Sequence, residues 1–264
     1  LLDVEIKRFA DGECYVRVKE DVKKEDVIIV QTTYPDNNII ELILLRDALL
    51  EADAGNIYLI IPYFGYARQD KKFKDGEPIS AKALAEIFSM CVEAVITVDP
   101  HKEYILDFFK VPAFSCSAVP EIAGYLANKN VDVILAPDKG AIDRAKNASN
   151  VLGCEYDFLE KTRIDDKTIE IKPKEIDVEG KTVAIIDDII STGGTMARAV
   201  SEMINQGAEK VYVACTHGLF VNGAIKKLTD AGCDEIISTD TIENRFSKVG
   251  VAPQIAAAMS RAIK

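Results

Sequence analysis

Two adjacent carboxylates, Asp187 and Asp188, stand at the end of the apolar run Val183–Ile186 and are followed within seven residues by Ser191, Thr192, Gly193, Gly194 and Thr195. Neighbouring glycines let the backbone turn tightly, so that successive N–H groups and the positive end of a following helix can point at one anion. The three hydroxyls add donors. Two carboxylates suit a different target: a vicinal diol, or a metal bound to one. Phosphate and diol acceptors one sugar apart predict a ribose 5-phosphate site. A polar loop that closes a strand and caps a helix would account for "DD" or "TGG" alone. The whole string on a strand-turn-helix frame favours the sugar phosphate.

Four further segments could do chemistry. In FADGE, Phe9 could stack on a flat ring while Asp11 and Glu13, two apart on an extended stretch around Gly12, accept from an amine or ribose hydroxyls; a plain hairpin turn at Asp11-Gly12 is the alternative. In PYFGYARQD, aromatics precede Arg68 and Gln69, and Arg suits forked contacts with phosphate oxygens; the alternative is a core edge followed by a solvated KKFKD loop. His101, in VDPHKEY, could bind a metal or a phosphate oxygen from a strand end beside Asp99, and Asp138, in APDKG, ends another strand as a candidate magnesium ligand. The other histidine, His217, follows a strand without an acidic neighbour. In LEKTR, Lys161 and Arg163 follow a strand, two apart, and could neutralise charge on a transferred phosphoryl chain; as surface charges they would be ordinary.

The elements that must position these groups alternate along the chain. Apolar runs at 27–31, 56–62, 93–98, 131–136, 156–159, 182–186, 210–215 and 235–238 read as strands, with two shorter ones at 5–9 and 15–18 flanking ADGE. Helical spacing recurs at 39–50, at 80–90 with Ser80 as cap, and at 102–109, 121–128, 139–152, 195–206, 222–231 and 254–263. This pattern predicts an α/β protein with parallel sheets covered on both faces. Residues 61–67 can be laid over 136–142, and 95–99 over 183–187, which suggests a duplicated domain joined near 116–120. The expected domains are 1–116, with the FADGE and PYFGYARQD segments, and 117–264, with the ribose 5-phosphate loop.

Composition narrows the partners. A chain of 264 residues with 48% hydrophobic and 28% charged residues can bury a sizeable core, and a net charge of −11 argues against general binding to nucleic acid or to an anionic membrane. An anionic ligand must be held locally, by backbone N–H groups, a few cations or a divalent metal. The six cysteines form no CxxC pair and read as reduced thiols of a cytoplasmic protein. No apolar run approaches the roughly 18 residues of a membrane span, and no signal peptide is visible. The chain opens at Leu1 without Met, so some natural N-terminal sequence is expected to be missing.

FADGE, PYFGYARQD followed by EPISAK, VDPHKEYILDFF, APDKG, LEKTR and DDIISTGGTM occur in the order seen in ribose-phosphate diphosphokinases, and the chain resembles that family over nearly its whole length. The second of these is specific to the family; the DD-to-TGGT loop is shared with the wider phosphoribosyltransferase superfamily. The resemblance implies two tandem phosphoribosyltransferase-like domains, each a mainly parallel sheet flanked by helices. It implies transfer of the diphosphoryl group of ATP to the 1-hydroxyl of ribose 5-phosphate, giving phosphoribosyl diphosphate and AMP, with Mg2+. Phe9, Asp11, Gly12 and Glu13 would then bind adenine from a neighbouring subunit of a homo-oligomer, while Arg68, Gln69 and His101 complete the ATP site. His101 and Asp138 would hold magnesium. Lys161 would be the main catalytic residue and Arg163 its partner at the substrate, with Asp187 and Asp188 on the ribose hydroxyls and Ser191 to Thr195 on the 5-phosphate.

The chain departs from the pattern in three places. Many members carry Asp where Ser191 stands, the segment after Arg163 is short and lacks Arg- and Pro-rich character, and the family's first strand and helix have no counterpart before Leu1. The first two resemble the archaeal form, in which classical phosphate activation and ADP inhibition are not expected. Two other readings remain at this point: a phosphoribosyltransferase, which needs no FADGE, RQD or His101, and a regulatory paralogue without turnover, against which Lys161, Arg163, His101 and Asp138 argue.

Overall fold

The computed structural model describes residues 1–163, 169–173 and 176–263; of 161–163 and 169–173 it describes the backbone. The chain divides into two compact units, one formed by Leu1–Cys116 with the C-terminal helix from Ala252, the other by Ser117–Val251.

The first unit opens with a hairpin, β1 (Val4–Arg8) and β2 (Cys14–Val18), antiparallel in the register Val4↔Val18 to Arg8↔Cys14. Four parallel strands follow in the order β3 (Val27–Val30), β4 (Ile57–Ile61), β5 (Ala94–Val98) and β6 (Ala113–Cys116). Strand β4 is buried along its length because both faces are covered. Its period of two sends Leu59 and Ile61 to the core shared with α1 (Asn37–Glu51) and α2 (Ser80–Phe88), where Leu42, Leu49 and Phe88 pack. Tyr58 and Ile60 go to the other face, against Ala258 and Met259 of the last helix, α7 (Ala252–Ala262). The small apolar face of α7 thus packs on the sheet of the first unit, whereas the sequence places the second domain at 117–264.

In the second unit the strand order is β13 (Ser247–Val249), β12 (Glu235–Thr239), β11 (Lys210–Gly218), β10 (Thr182–Ile190), β7 (Val133–Ala136), β8 (Glu155–Arg163), β9 (Ile169–Pro173). Neighbours are parallel except β8 and β9, which form a hairpin. Val183 and Ile185 of β10 face a core built with Met196, Val200 and Met203 of α5 (Gly194–Asn205) and Leu228 of α6 (Ala224–Asp230). Helices α3 (Val119–Leu126) and α4 (Ile142–Leu152) pack together, α4 against β7, β8 and β10. The β7-β10-β11 ladder mirrors β4-β5-β6, as the suspected duplication requires.

Several local expectations change. Strands β6, β9 and β13 are additional. Strand β10 does not end at the carboxylates but runs through them to Ile190, because β11 pairs with it as far as Ile190↔Gly218. Lys161 and Arg163 lie within β8 rather than after it, opposite Ile171 and Ile169. Ser80 does not cap α2: Ile79 is the cap residue, and the Ser80 hydroxyl donates to Gln69 Oε1 at 2.9 Å. The six cysteines are free, and burial pushes the Cys116 thiol up to about 11 and Cys233 up to about 12, as befits inert core thiols. Among the described residues no helix is long and apolar enough to cross a membrane.

Candidate active site

In the second unit the chain runs from β7 outward to β8, then returns to β10 and proceeds through β11 and β12 on the other side. The order therefore reverses between β7 and β10, the place where open α/β sheets bind ligands beyond the carboxyl ends of their strands. Pairing of β7 with β10 stops at Leu135↔Ile185, so the last residues of β10 extend past β7 with that edge open. Asp138 follows the end of β7, Asp187 and Asp188 lie in the part of β10 that extends past it, and the 191–195 loop follows β10.

The loop is built around Gly193. It has φ +69°, and a Cβ there would lie 3.0 Å from that of Ala224, so a side chain meets both backbone strain and the start of α6. Two carbonyls are drawn towards the β11–α6 connection: Ser191 O accepts from the Val221 N–H at 3.0 Å and Thr192 O from Lys227 Nζ at 2.9 Å. The first-turn N–H groups of α5 have no intrahelical acceptors and carry the positive end of its dipole. The exposed Thr192 and Thr195 stand beside them, so the loop has the donors that an anion cradle would need.

Asp188 is buried, and its N–H donates to Asp187 Oδ1 at 2.9 Å. Burial holds the Asp187 carboxyl well above its ordinary range, and the neighbouring Asp188 charge raises it further. Arg144 of α4 opposes this from 3.7 Å. Sequence reasoning missed Arg144: a single Arg in a helix carries no motif. Asp138 is exposed and spends Oδ1 on the Gly140 N–H at 2.8 Å. Its other oxygen is a hard donor of the kind Mg2+ takes when it keeps several waters and binds through one or two carboxylates plus phosphates. Among the described residues no three His, Cys, Asp or Glu side chains gather into a metal-binding cluster.

Lys161 and Arg163 share one side of β8 by strand alternation. Their side chains lie outside the described part of the structure.

The first unit carries a second cluster. The FADGE turn closes β1 and β2 with Phe9 N–H donating to Glu13 O, Gly12 N–H to Phe9 O, and Glu13 N–H to Asp11 Oδ1, with Gly12 at φ +92°. Arg8 holds this turn to α1: one guanidinium nitrogen is 2.6 Å from Glu41 and the other reaches Gly12 O. Phe9 is left 49% exposed, with its ring edge-on to Tyr15 at 5.8 Å.

After β4, Gly65 passes so close to Thr33 that a Cβ would lie 2.7 Å from its carbonyl oxygen, and Thr33 Oγ1 accepts the Gly65 N–H at 2.8 Å. This close approach launches the segment with exposed Arg68 and half-buried Gln69. His101, half-buried, follows β5 after Asp99, which adopts φ +37°. His217 belongs elsewhere: it is buried in β11 with Nδ1 2.9 Å from Thr241 Oγ1, part of a structural threonine network.

A family model described as the N-terminal domain of ribose phosphate pyrophosphokinase matches residues 1–91, and a phosphoribosyl transferase domain model matches 118–254. The chain belongs to the ribose-phosphate pyrophosphokinase family. Among curated relatives, the ribose-phosphate pyrophosphokinase of Methanothermobacter thermautotrophicus is 41% identical over 98% of this chain and 92% of its own. That of Pyrococcus furiosus is 45% identical over 97% and 91%. The crystal structure of phosphoribosylpyrophosphate synthetase from Mycobacterium smegmatis superposes with a TM-score of 0.83 at 31% identity, covering 100% of this chain and 90% of that one. The family pyrophosphokinase fold, with its parallel sheets flanked by helices, is therefore the fold of this enzyme, and its archaeal relatives are its near kin in sequence.

Proposed function

We infer that the chain is a ribose-phosphate diphosphokinase that makes 5-phosphoribosyl 1-diphosphate for nucleotide biosynthesis. The 1-hydroxyl oxygen of ribose 5-phosphate bonds to the β-phosphorus of ATP, the bond from that phosphorus to the α,β-bridging oxygen breaks, AMP leaves, and the hydroxyl proton is released. The observation that carries this reading is that the glycine-built loop after β10 occurs in a chain whose first unit also presents the FADGE hairpin, the Arg68–Gln69 segment and His101, which a phosphoribosyltransferase does not need.

On this reading the cradle from Ser191 through Thr195 takes the 5-phosphate, and Asp187 with Asp188 accepts hydrogen bonds from the ribose hydroxyls. Arg68, Gln69 and His101 bind ATP. Lys161 and Arg163, side by side on β8, neutralise charge on the diphosphoryl group in flight, the term that dominates phosphoryl chemistry. His101 and Asp138 hold Mg2+, which when bound offsets phosphate charge. Phe9, Asp11 and Glu13, exposed on a hairpin, serve the adenine of a neighbouring subunit, which makes the working enzyme at least a dimer; the six free thiols fit a cytoplasmic setting.

Incubation with ATP, Mg2+ and ribose 5-phosphate should yield AMP and phosphoribosyl diphosphate in equal amounts. Absence of AMP would overturn the reading. Consumption of phosphoribosyl diphosphate with a free base, releasing diphosphate, would identify a phosphoribosyltransferase instead.

A further inference from the structure

Asp70 closes the RQD segment and is buried to 8% exposure, whereas Arg68 before it and Lys71 after it face solvent. A buried carboxylate needs a donor. The structure supplies the hydroxyl of Tyr104, which donates to Asp70 Oδ2. Tyr104 sits in the short 3-10 helix Glu103–Phe108, three residues beyond His101, and its ring meets Phe108 edge-on at 6.2 Å. The ring itself is 46% exposed, so the tyrosine contributes little to the core and its hydroxyl is the part with a partner.

The RQD segment is anchored elsewhere to its own surroundings: Gln69 N–H donates to Tyr66 O, Gln69 O accepts from the Ala81 N–H, and Gln69 Oε1 accepts from Ser80. None of these contacts reaches the His101 segment. The Tyr104–Asp70 bond does. It ties the loop after β4 to the loop after β5, which carry Arg68 and Gln69 on one side and His101 on the other.

We propose that Tyr104 is a positioning residue for the diphosphoryl donor, fixing the Arg68–Gln69 segment and the His101 segment at one spacing through Asp70. The proposal rests on the assignment of Arg68, Gln69 and His101 to ATP. Tyr104 touches no reacting atom in it. Fixing two ligand-contacting loops in advance lowers the ordering cost of binding.

Steady-state kinetics with each substrate varied in turn, alongside thermal melts, test it. Tyr104→Phe keeps the ring and removes the donor; it should raise KM for ATP roughly fivefold to tenfold, the loss of about one buried hydrogen bond. KM for ribose 5-phosphate should hold, and Tm should fall only slightly as Asp70 loses its donor. Asp70→Asn retains an acceptor for the tyrosine and should stay near wild type, while Asp70→Ala should match Tyr104→Phe, and the two losses should not add in the double variant. An unchanged KM for ATP in Tyr104→Phe, or KM values for both substrates rising together with a lower Tm, would overturn the proposal. Arg68→Ala separates the two levels. If it leaves KM for ATP unchanged, the ATP assignment fails; if it raises that KM while Tyr104→Phe does not, only the positioning role fails.

Discussion

The ammonium of Lys227 lies 2.9 Å from the carbonyl oxygen of Thr192, linking α6 to the cradle that precedes α5. In a trans peptide the carbonyl and the next N–H point in opposite directions. Holding Thr192 O towards Lys227 therefore aims the Gly193 N–H away from α6, to the side on which the proposed 5-phosphate would be held. Lys227→Met should raise KM for ribose 5-phosphate roughly fivefold, about 1 kcal/mol for a solvent-accessible bond. Lys227→Arg should recover most of it. Kinetics in which KM for ATP rises equally would show that the bond does not act on the sugar-phosphate loop.

The two neighbouring glycines of the cradle should differ in tolerance. Gly193→Ala forces a side chain into left-handed backbone and onto Ala224, and should lower stability by about 1–2 kcal/mol. At Gly194 a Cβ meets nothing within 4 Å, and the residue begins α5. Gly194→Ala should melt at or slightly above wild type. If that open space belongs to the phosphate, it should nevertheless bind ribose 5-phosphate more weakly. Equal Tm losses in both variants would contradict the local geometry.

How far the sequence revealed this arrangement depended on what each segment buries. Parallel strands such as Ile57–Ile61 and Val183–Ile186 were legible as apolar runs because helices cover both faces, and α1 was legible from the spacing of Leu42 and Leu49. The continuation of β10 through Asp187 and Asp188 was not, since it depends on pairing with Cys215 and beyond in β11 rather than on its own hydrophobicity. Polar LEKTR gave no sign of being strand, because its strand character comes from antiparallel pairing with β9 rather than from its own hydrophobicity. The docking of α7 is a long-range match between Met259 and Tyr58 that no local pattern encodes. The motif strings are legible as such; Arg8, Arg144 and Lys227, which contact them, carry no motif, and the bond of Tyr104 to Asp70 is not visible in the VDPHKEY string that it ends.

The raised Asp187 carboxyl gives the enzyme a specific pH signature. Its folded value lies above its unfolded value of 3.8, so between the two the native state binds more protons than the unfolded chain. Stability from this group therefore falls as pH rises from about 4 towards the folded value, the reverse of the usual salt-bridged carboxylate. Asp187→Asn removes the charge that is costly to bury, and its Tm relative to wild type should increase with pH across that window. Arg144→Met should extend the decline to higher pH, because the Arg144 charge that opposes the raised Asp187 carboxyl is lost. Melts from pH 4 upward without ligand would check both, and a Tm difference that stays flat with pH would show that Asp187 is ionised normally.

Lys161 carries the most severe prediction. It shares one side of β8 with Arg163, and that strand is braced by antiparallel pairing to β9 at Lys161↔Ile171 and Arg163↔Ile169, so the two positions are held in register by backbone bonds. A cation aimed at charge that develops only during transfer stabilises the transition state more than the bound substrates. Lys161→Ala should thus lower kcat by about two to three orders of magnitude while leaving ATP affinity little changed, the pattern expected when a single electrostatic donor is removed. Lys161→Arg keeps the charge and should recover part of the rate. Direct measurement of ATP binding beside turnover separates the cases: a near-normal kcat would remove Lys161 from the chemistry, and a loss confined to ATP affinity would make it a ground-state binding residue instead.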